Sequence, residues 1–196
     1  MKVRKFLFVG ALIAASLFSV NSVMAQTNST TATDQVVVNL KFKPIMSITV
    51  NPTDNEVDLT YADIADYSEG KTSGLLTNHI NIYSTGGFEV KVKADGNFTR
   101  TGGGEISVGD VLIVATGTGA SDTSDNSVYA AKQSLKATVE GETLVTKATG
   151  GVNINYNVEY DNTAAGGSNN YINKYIFADG AESVYSTTVT YTIAAK

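Results

Sequence analysis

From residue 36 the chain alternates apolar and polar positions with a period of two, the spacing of side chains along a β-strand. Val36, Val38, Leu40 and Phe42 fall on one face, and Asn39, Lys41 and Lys43 fall on the other. The pattern predicts a first strand over 36–42, which Pro44, lacking an N–H, ends or kinks. Met46, Ile48 and Val50 resume the apolar face, and Asn51-Pro52-Thr53-Asp54 predicts a turn. A shorter strand is expected over 57–61. The polar stretch 62–74 reads as a helical turn before a loop. Ile80 and Ile82 mark the next strand, with Ser84-Thr85-Gly86-Gly87 as a hairpin turn. After it Phe88, Val90, Val92 and Ala94 alternate with Glu89, Lys91 and Lys93, one face buried and one wet.

Val111 to Ala115 is short and continuously apolar, which predicts a strand buried on both sides. Residues 117–127 form a Gly/Ser/Thr/Asp loop. Leu135, Ala137 and Val139 predict a strand, and Gly141-Glu142 a turn before Leu144-Val145. Val152, Ile154, Tyr156, Val158 and Tyr160 alternate with Asn153, Asn155, Asn157 and Glu159, the cleanest long strand in the chain. A Gly/Asn loop over 161–170 precedes a strand over 171–177. The last strand runs from Tyr185 through Thr187, Val189 and Tyr191 to Ile193. Some ten short strands, with turn signals about every 8–12 residues and no convincing helix, predict an all-β fold. The form expected is an antiparallel Ig-like or pilin-like β-sandwich, with a barrel second. No internal repeat or long linker divides it, so residues 35–196 are expected to form one domain.

The first 25 residues carry a different pattern. Lys2, Arg4 and Lys5 precede an apolar run from Phe6 to Val20, and Val23-Met24-Ala25 offers a small-x-small site. That is the form of a secretory signal peptide over 1–25, cleaved before Gln26. The run is about 15 residues, short for a bilayer span of roughly 20. Export to the periplasm, cell surface or extracellular space is therefore expected, with no membrane span in the mature protein. Residues 26–34, rich in Ser, Thr and Asn, predict a flexible tail.

Composition agrees with strands: 18 Gly and only two Pro, ten Tyr, and many Thr and Val. Removal of 1–25 leaves 171 residues, enough for a sizeable core. It removes three of the 14 basic residues and none of the 19 acidic ones, so 11 face 19 and the net charge is −8. Such acidity argues against nucleic acid or an anionic membrane as partner. The absence of Cys rules out a disulfide framework and a lipid anchor on Cys.

The segments SITVNP (47–52), ADYSEGKT (65–72), NIYSTGGFEVKVKA (81–94) and YSTTVTYTIAAK (185–196) resemble small exported β-sandwich proteins of Gram-negative bacteria. These belong to a domain family of unknown function, distantly similar to fimbrial and spore-coat-type subunits. The resemblance spans nearly all of the chain after the leader, and its motifs are structural. It implies an N-terminal alternating strand, an Ig-like sandwich and a Thr/Tyr-rich terminal strand. The lack of Cys and the retained final strand set the chain apart from chaperone–usher pilins.

Candidate chemistry is sparse. His79 is the only His and so the only general base of that type, more readily explained as a core or edge residue beside Ile80. Asp122 and Asp125, with Ser124 and Asn126, offer oxygen ligands but match no EF-hand spacing. Asp54, Glu56 and Asp58 place alternate carboxylates near a strand start, free to pair with Lys41 or Lys43. Gly102-Gly103-Gly104 lacks the Lys-Ser/Thr of a phosphate loop and reads as a turn. Asn28-Ser29-Thr30 and Asn97-Phe98-Thr99 fit the glycosylation pattern, which the resemblance to bacterial proteins gives little weight. Tyr156, Tyr160, Tyr185 and Tyr191 fall in phase with apolar residues. Tyr67, Tyr83, Tyr129, Tyr171 and Tyr175 are freer to form a sugar platform.

No catalytic residue, cofactor site or metal site stands out. The expectation is a non-enzymatic structural or surface-interaction protein, a subunit of a fimbria-like or extracellular assembly. Self-association or a cell-surface protein supplies the partner, and the candidate strand-pairing residues are Val36, Val38, Leu40 and Phe42. The alternative is a ligand-binding sandwich taking a glycan or divalent cation at its loop tips.

Overall fold

The computed structural model describes residues 33–118, 126–176 and 182–196. The expected leader, most of the tail, Asp122, Asp125 and Phe177 lie outside the described residues. The chain divides into two units, 1–41 and 42–196. The second is mostly β.

Eleven strands are described: β1 (Met46–Val50), β2 (Leu76–Ser84), β3 (Phe88–Ala94), β4 (Phe98–Thr99), β5 (Glu105–Ile106), β6 (Leu112–Gly117), β7 (Ser127–Tyr129), β8 (Gln133–Ser134), β9 (Glu142–Lys147), β10 (Gly151–Asp161) and β11 (Val189–Ala195). Among the described residues helix is confined to α1 (Ile64–Glu69), α2 (Thr163–Gly166) and two 3-10 turns. One sheet has the order β1-β2-β10-β6-β8, the second β11-β3-β9-β7, and β4-β5 is a separate ribbon. Every ladder is antiparallel. Ile80, Ile82, Ile113, Tyr156 and Val158 from the first sheet share one core with Phe88, Val90, Val92, Leu144 and Val145 from the second. The fold is an antiparallel β-sandwich, as the alternation predicts.

Where a strand has neighbours on both sides its apolar positions take the core face, although in β10 the expected outward Asn157 is also buried and Val152, at the strand's start, is exposed. In β3, Phe88, Val90, Val92 and Ala94 are buried, while Glu89, Lys91 and Lys93 are half-exposed. In β10, Tyr156, Val158 and Tyr160 point inward. The polar stretch over 62–74 does contain the expected helical turn. Asp63 caps α1 by accepting from the Asp66 amide, and Asp66 accepts from the Asp63 amide in return.

Several expectations are corrected. Residues 36–42 form no strand, because no backbone among the described residues pairs with them. Val36, Val38, Leu40 and Phe42 are 78–90% exposed. Residues 57–61 are also without a ladder, although Val57 and Leu59 pack on the core. Ser84 to Gly87 is not a hairpin turn: β2 and β3 lie in different sheets, so the turn carries the chain across the sandwich. There Gly150 has room for no side chain, since a Cβ would sit 2.2 Å from the Ser84 carbonyl oxygen. The strand expected at Leu135 shifts to β8, leaving Leu135 buried and Val139 exposed. β6 is buried on one face only, with Leu112 and Val114 half-exposed. Residues 171–176 are turn and coil, and Tyr171 is buried rather than free. The last strand starts at Val189, with Ser186 making an isolated bridge to Thr99.

Candidate functional site

The sequence of residues 33–43 explains both the exposure and the interest of this segment. Val36, Val37 and Val38 are β-branched and favour extended backbone. The segment contains no Gly or Pro before Pro44, and its turn-forming residue types are limited to Asp34 and Asn39. A stripe of four large apolar side chains with 78–90% exposure is unusual for a solvated coil. It has the form of a strand without a sheet.

The sandwich has four edge strands, β1, β8, β11 and β7. β8 has two residues and β7 three, too short to template a long ladder. β1 has five and β11 seven. β11 runs in unbroken register with β3 through seven Cα pairs, from Val189 opposite Ala94 to Ala195 opposite Phe88. On its other side no strand among the described residues pairs with it. Val189, Tyr191 and Ile193 turn toward the core but are only half-buried, and Thr192 is exposed. Their alternation sets Thr190 and Thr192 on the opposite face.

His79 is inside the sandwich, 2% exposed. The Tyr160 and Tyr191 rings meet it edge-on at centroid distances of 6.3 and 5.7 Å. Its Nδ1 has no hydrogen-bond partner, and Asp54 Oδ2 at 3.7 Å is too far to supply one. Burial pushes the imidazole pKa down, against the opposing pull of Asp54. His79 is therefore a neutral core residue walled off by two tyrosines, whose hydroxyls bond each other at 2.5 Å.

The acidic residues are dispersed. Asp54 faces His79, while Glu56 and Asp58 are exposed. Among the described residues no three His, Asp or Glu side chains gather in a metal-holding group. Lys132 Nζ instead ties Glu159 and Asp161 at 2.7 and 2.6 Å on the outer face of β10. Arg100 to Gly104 forms the turn of the β4–β5 ribbon, with Gly102, Gly103 and Gly104 all at positive φ. Of the freer tyrosines, Tyr83 is exposed on a sheet face, whereas Tyr171 is committed elsewhere.

The alternation left one buried polar network unseen. Asn162, 2% exposed, donates from Nδ2 to the Asp110 carbonyl at 2.9 Å and to the Tyr171 hydroxyl at 3.2 Å. Its Oδ1 accepts from the Tyr61 hydroxyl. Tyr171 in turn donates to Asp110 Oδ2 at 2.7 Å. Burial, then the nearby Asp66 carboxylate, pushes the Tyr61 pKa up to about 12. Burial raises Tyr171 further still. Both phenols stay protonated and act as fixed donors. The network pins the otherwise irregular segments 57–61 and 171–176 to the end of β10, a structural role.

No known protein-family model and no curated protein matches this chain.

Proposed function

We propose that this chain is an exported, non-enzymatic structural or surface-interaction protein that assembles with further copies of itself. Residues 36–42 of one molecule serve as an added strand on the sheet edge of another. The observation that carries the reading is the exposed apolar stripe Val36, Val38, Leu40 and Phe42, none of which belongs to the core of the sandwich. Among the described residues the tyrosine-walled His79 and the dispersed carboxylates gather into no reacting centre, which favours an interaction role. The net charge of −8 expected after leader removal turns the protein away from nucleic acid and anionic membrane.

Burying the four apolar side chains is worth about 6–12 kcal/mol before losses, at about 1.5–3 kcal/mol each. Ordering seven residues of backbone takes a similar amount, about 1–2 kcal/mol per residue. Side-chain burial alone is thus close to neutral, and the strand holds only where its amides also pair with an edge. Assembly should accordingly be reversible and concentration-dependent. Sedimentation velocity on the chain from Gln26 onward tests this. Higher-order species should grow with concentration and disappear when Val38 and Leu40 are both replaced by Asp. A monomer at every concentration, or assembly indifferent to the double variant, would refute the reading.

A further inference from the structure

We propose that β11 (Val189–Ala195) is the edge that receives residues 36–42 of a second copy, an assignment that rests on the strand-pairing reading above. Natural edges are kept from pairing by shortness, charge, proline or bulges. β8 and β7 are protected by length alone, at two and three residues. β11 carries none of these four, although β1 of the other sheet lies close to it. It is seven residues long, contains no charged residue and no Pro, and pairs with β3 without a register shift.

The two segments also match in length and phase. Residues 36–42 number seven, as β11 does. Centred on each other, Asn39 stands beside Thr192, and both belong to the polar faces of their segments. In antiparallel alignment Val38 falls beside Ile193, Leu40 beside Tyr191 and Phe42 beside Val189. A parallel strand keeps the same parity, so the apolar stripe continues the inward face in either direction. Val189, Tyr191 and Ile193 are the core-facing side chains left half-covered at this edge, and the added strand would shield them.

β1 is the rival. Its five residues are shorter than the incoming segment, and Met46, Ser47 and Thr49 are exposed. Pairing of β11 with the β11 of another copy is a second rival, equally free of charge repulsion.

The native absence of Cys makes a disulfide test unambiguous. Asn39→Cys and Thr192→Cys proteins are mixed under mild oxidation, and cross-linked peptides are identified by mass. Directly opposed cross-strand Cβ atoms lie about 4.5–5.5 Å apart, within a small adjustment of disulfide geometry. A 39–192 disulfide between molecules is expected, with little reaction when Thr49→Cys replaces Thr192→Cys. In addition, Thr192→Lys, at an exposed position opposite Lys91, should raise the concentration needed for assembly at least tenfold while the dilute protein stays folded, its melting temperature lowered only slightly by the neighbouring lysine. A dominant 39–49 or 192–192 disulfide, or assembly unaffected by Thr192→Lys, would overturn the β11 assignment and leave strand pairing standing. A wild-type chain that never assembles would overturn both.

Discussion

Replacing Val90 by Asp tests the assignment of faces where the sandwich is thickest. Val90 is fully buried in β3, with Ile193 of β11 on one side and Val145 of β9 on the other. Removing its side chain from the core forfeits about 1.5–3 kcal/mol of apolar burial. The new carboxyl enters a mainly apolar setting in which the one basic neighbour on that face, Lys147 opposite Phe88, is itself buried, and burial favours the protonated form. A carboxyl pKa raised by about 3–5 units corresponds to about 4–7 kcal/mol at neutral pH. The combined loss, about 6–10 kcal/mol, is comparable to the whole stability of a typical domain, about 5–15 kcal/mol. One residue along, Lys91 is half-exposed and lies 3.4 Å from Glu89. Lys91→Asp loses that partly solvated pair and sets two carboxylates near each other, an effect of about 1 kcal/mol. Urea denaturation followed by circular dichroism should find Val90→Asp unfolded or nearly so without denaturant. Lys91→Asp should unfold close to wild type. Midpoints that coincide for the two variants would show that β3 does not face the core as described.

Asn162→Ala should destabilise the domain by about 2–4 kcal/mol, because Tyr61, Tyr171 and Asp110 each lose a partner at a largely buried site; calorimetry reads the loss. A variant as stable as wild type would remove the network from the account. His79 introduces a pH dependence. Its folded pKa lies below the unfolded value of about 6.5, so the unfolded chain takes up the proton first and stability falls as pH drops below about 6.5. His79→Gln should lose that part of the slope in denaturation curves between pH 7 and pH 5, and an unchanged slope would refute the assignment. Exported protein should begin at Gln26, its intact mass lacking Met1 to Ala25; a chain retaining them would refute the expected cleavage.

Alternation was legible wherever a strand has neighbours to bury it. In β3, and in β10 from Ile154 to Tyr160, the apolar phase coincides with the core face because neighbouring strands and the opposite sheet cover it; Val152, where β6 does not reach, is exposed. The same pattern over 36–42 gives the extended backbone preference but not the partner, since periodicity specifies which face would be buried and not by what. The turn at Ser84 to Gly87 shows a related limit. Its residue types signal a reversal equally well within one sheet or between two. Apolar content predicts strands over 57–61 and 171–177, yet 57–61 and the described residues 171–176 are held by packing and by side-chain bonds to Asn162 and Asp110. That network joins Tyr61, Asp110, Asn162 and Tyr171 across more than a hundred residues, and no local spacing announces it. The unguarded character of β11 lies in what its sequence lacks, and it gains meaning only once β11 is placed at an edge.

Amide hydrogen exchange on the chain from Gln26 onward, measured from dilute to concentrated protein, addresses the central claim most directly. In dilute protein the amides of residues 36–42 should exchange at the rate of an unstructured chain, since no ladder holds them. As concentration rises, protection should appear there and increase in step with the assembled fraction seen by sedimentation. Residues 36–42 that remain unprotected while the protein assembles, or that are already protected in a dilute monomer, would contradict strand addition between copies.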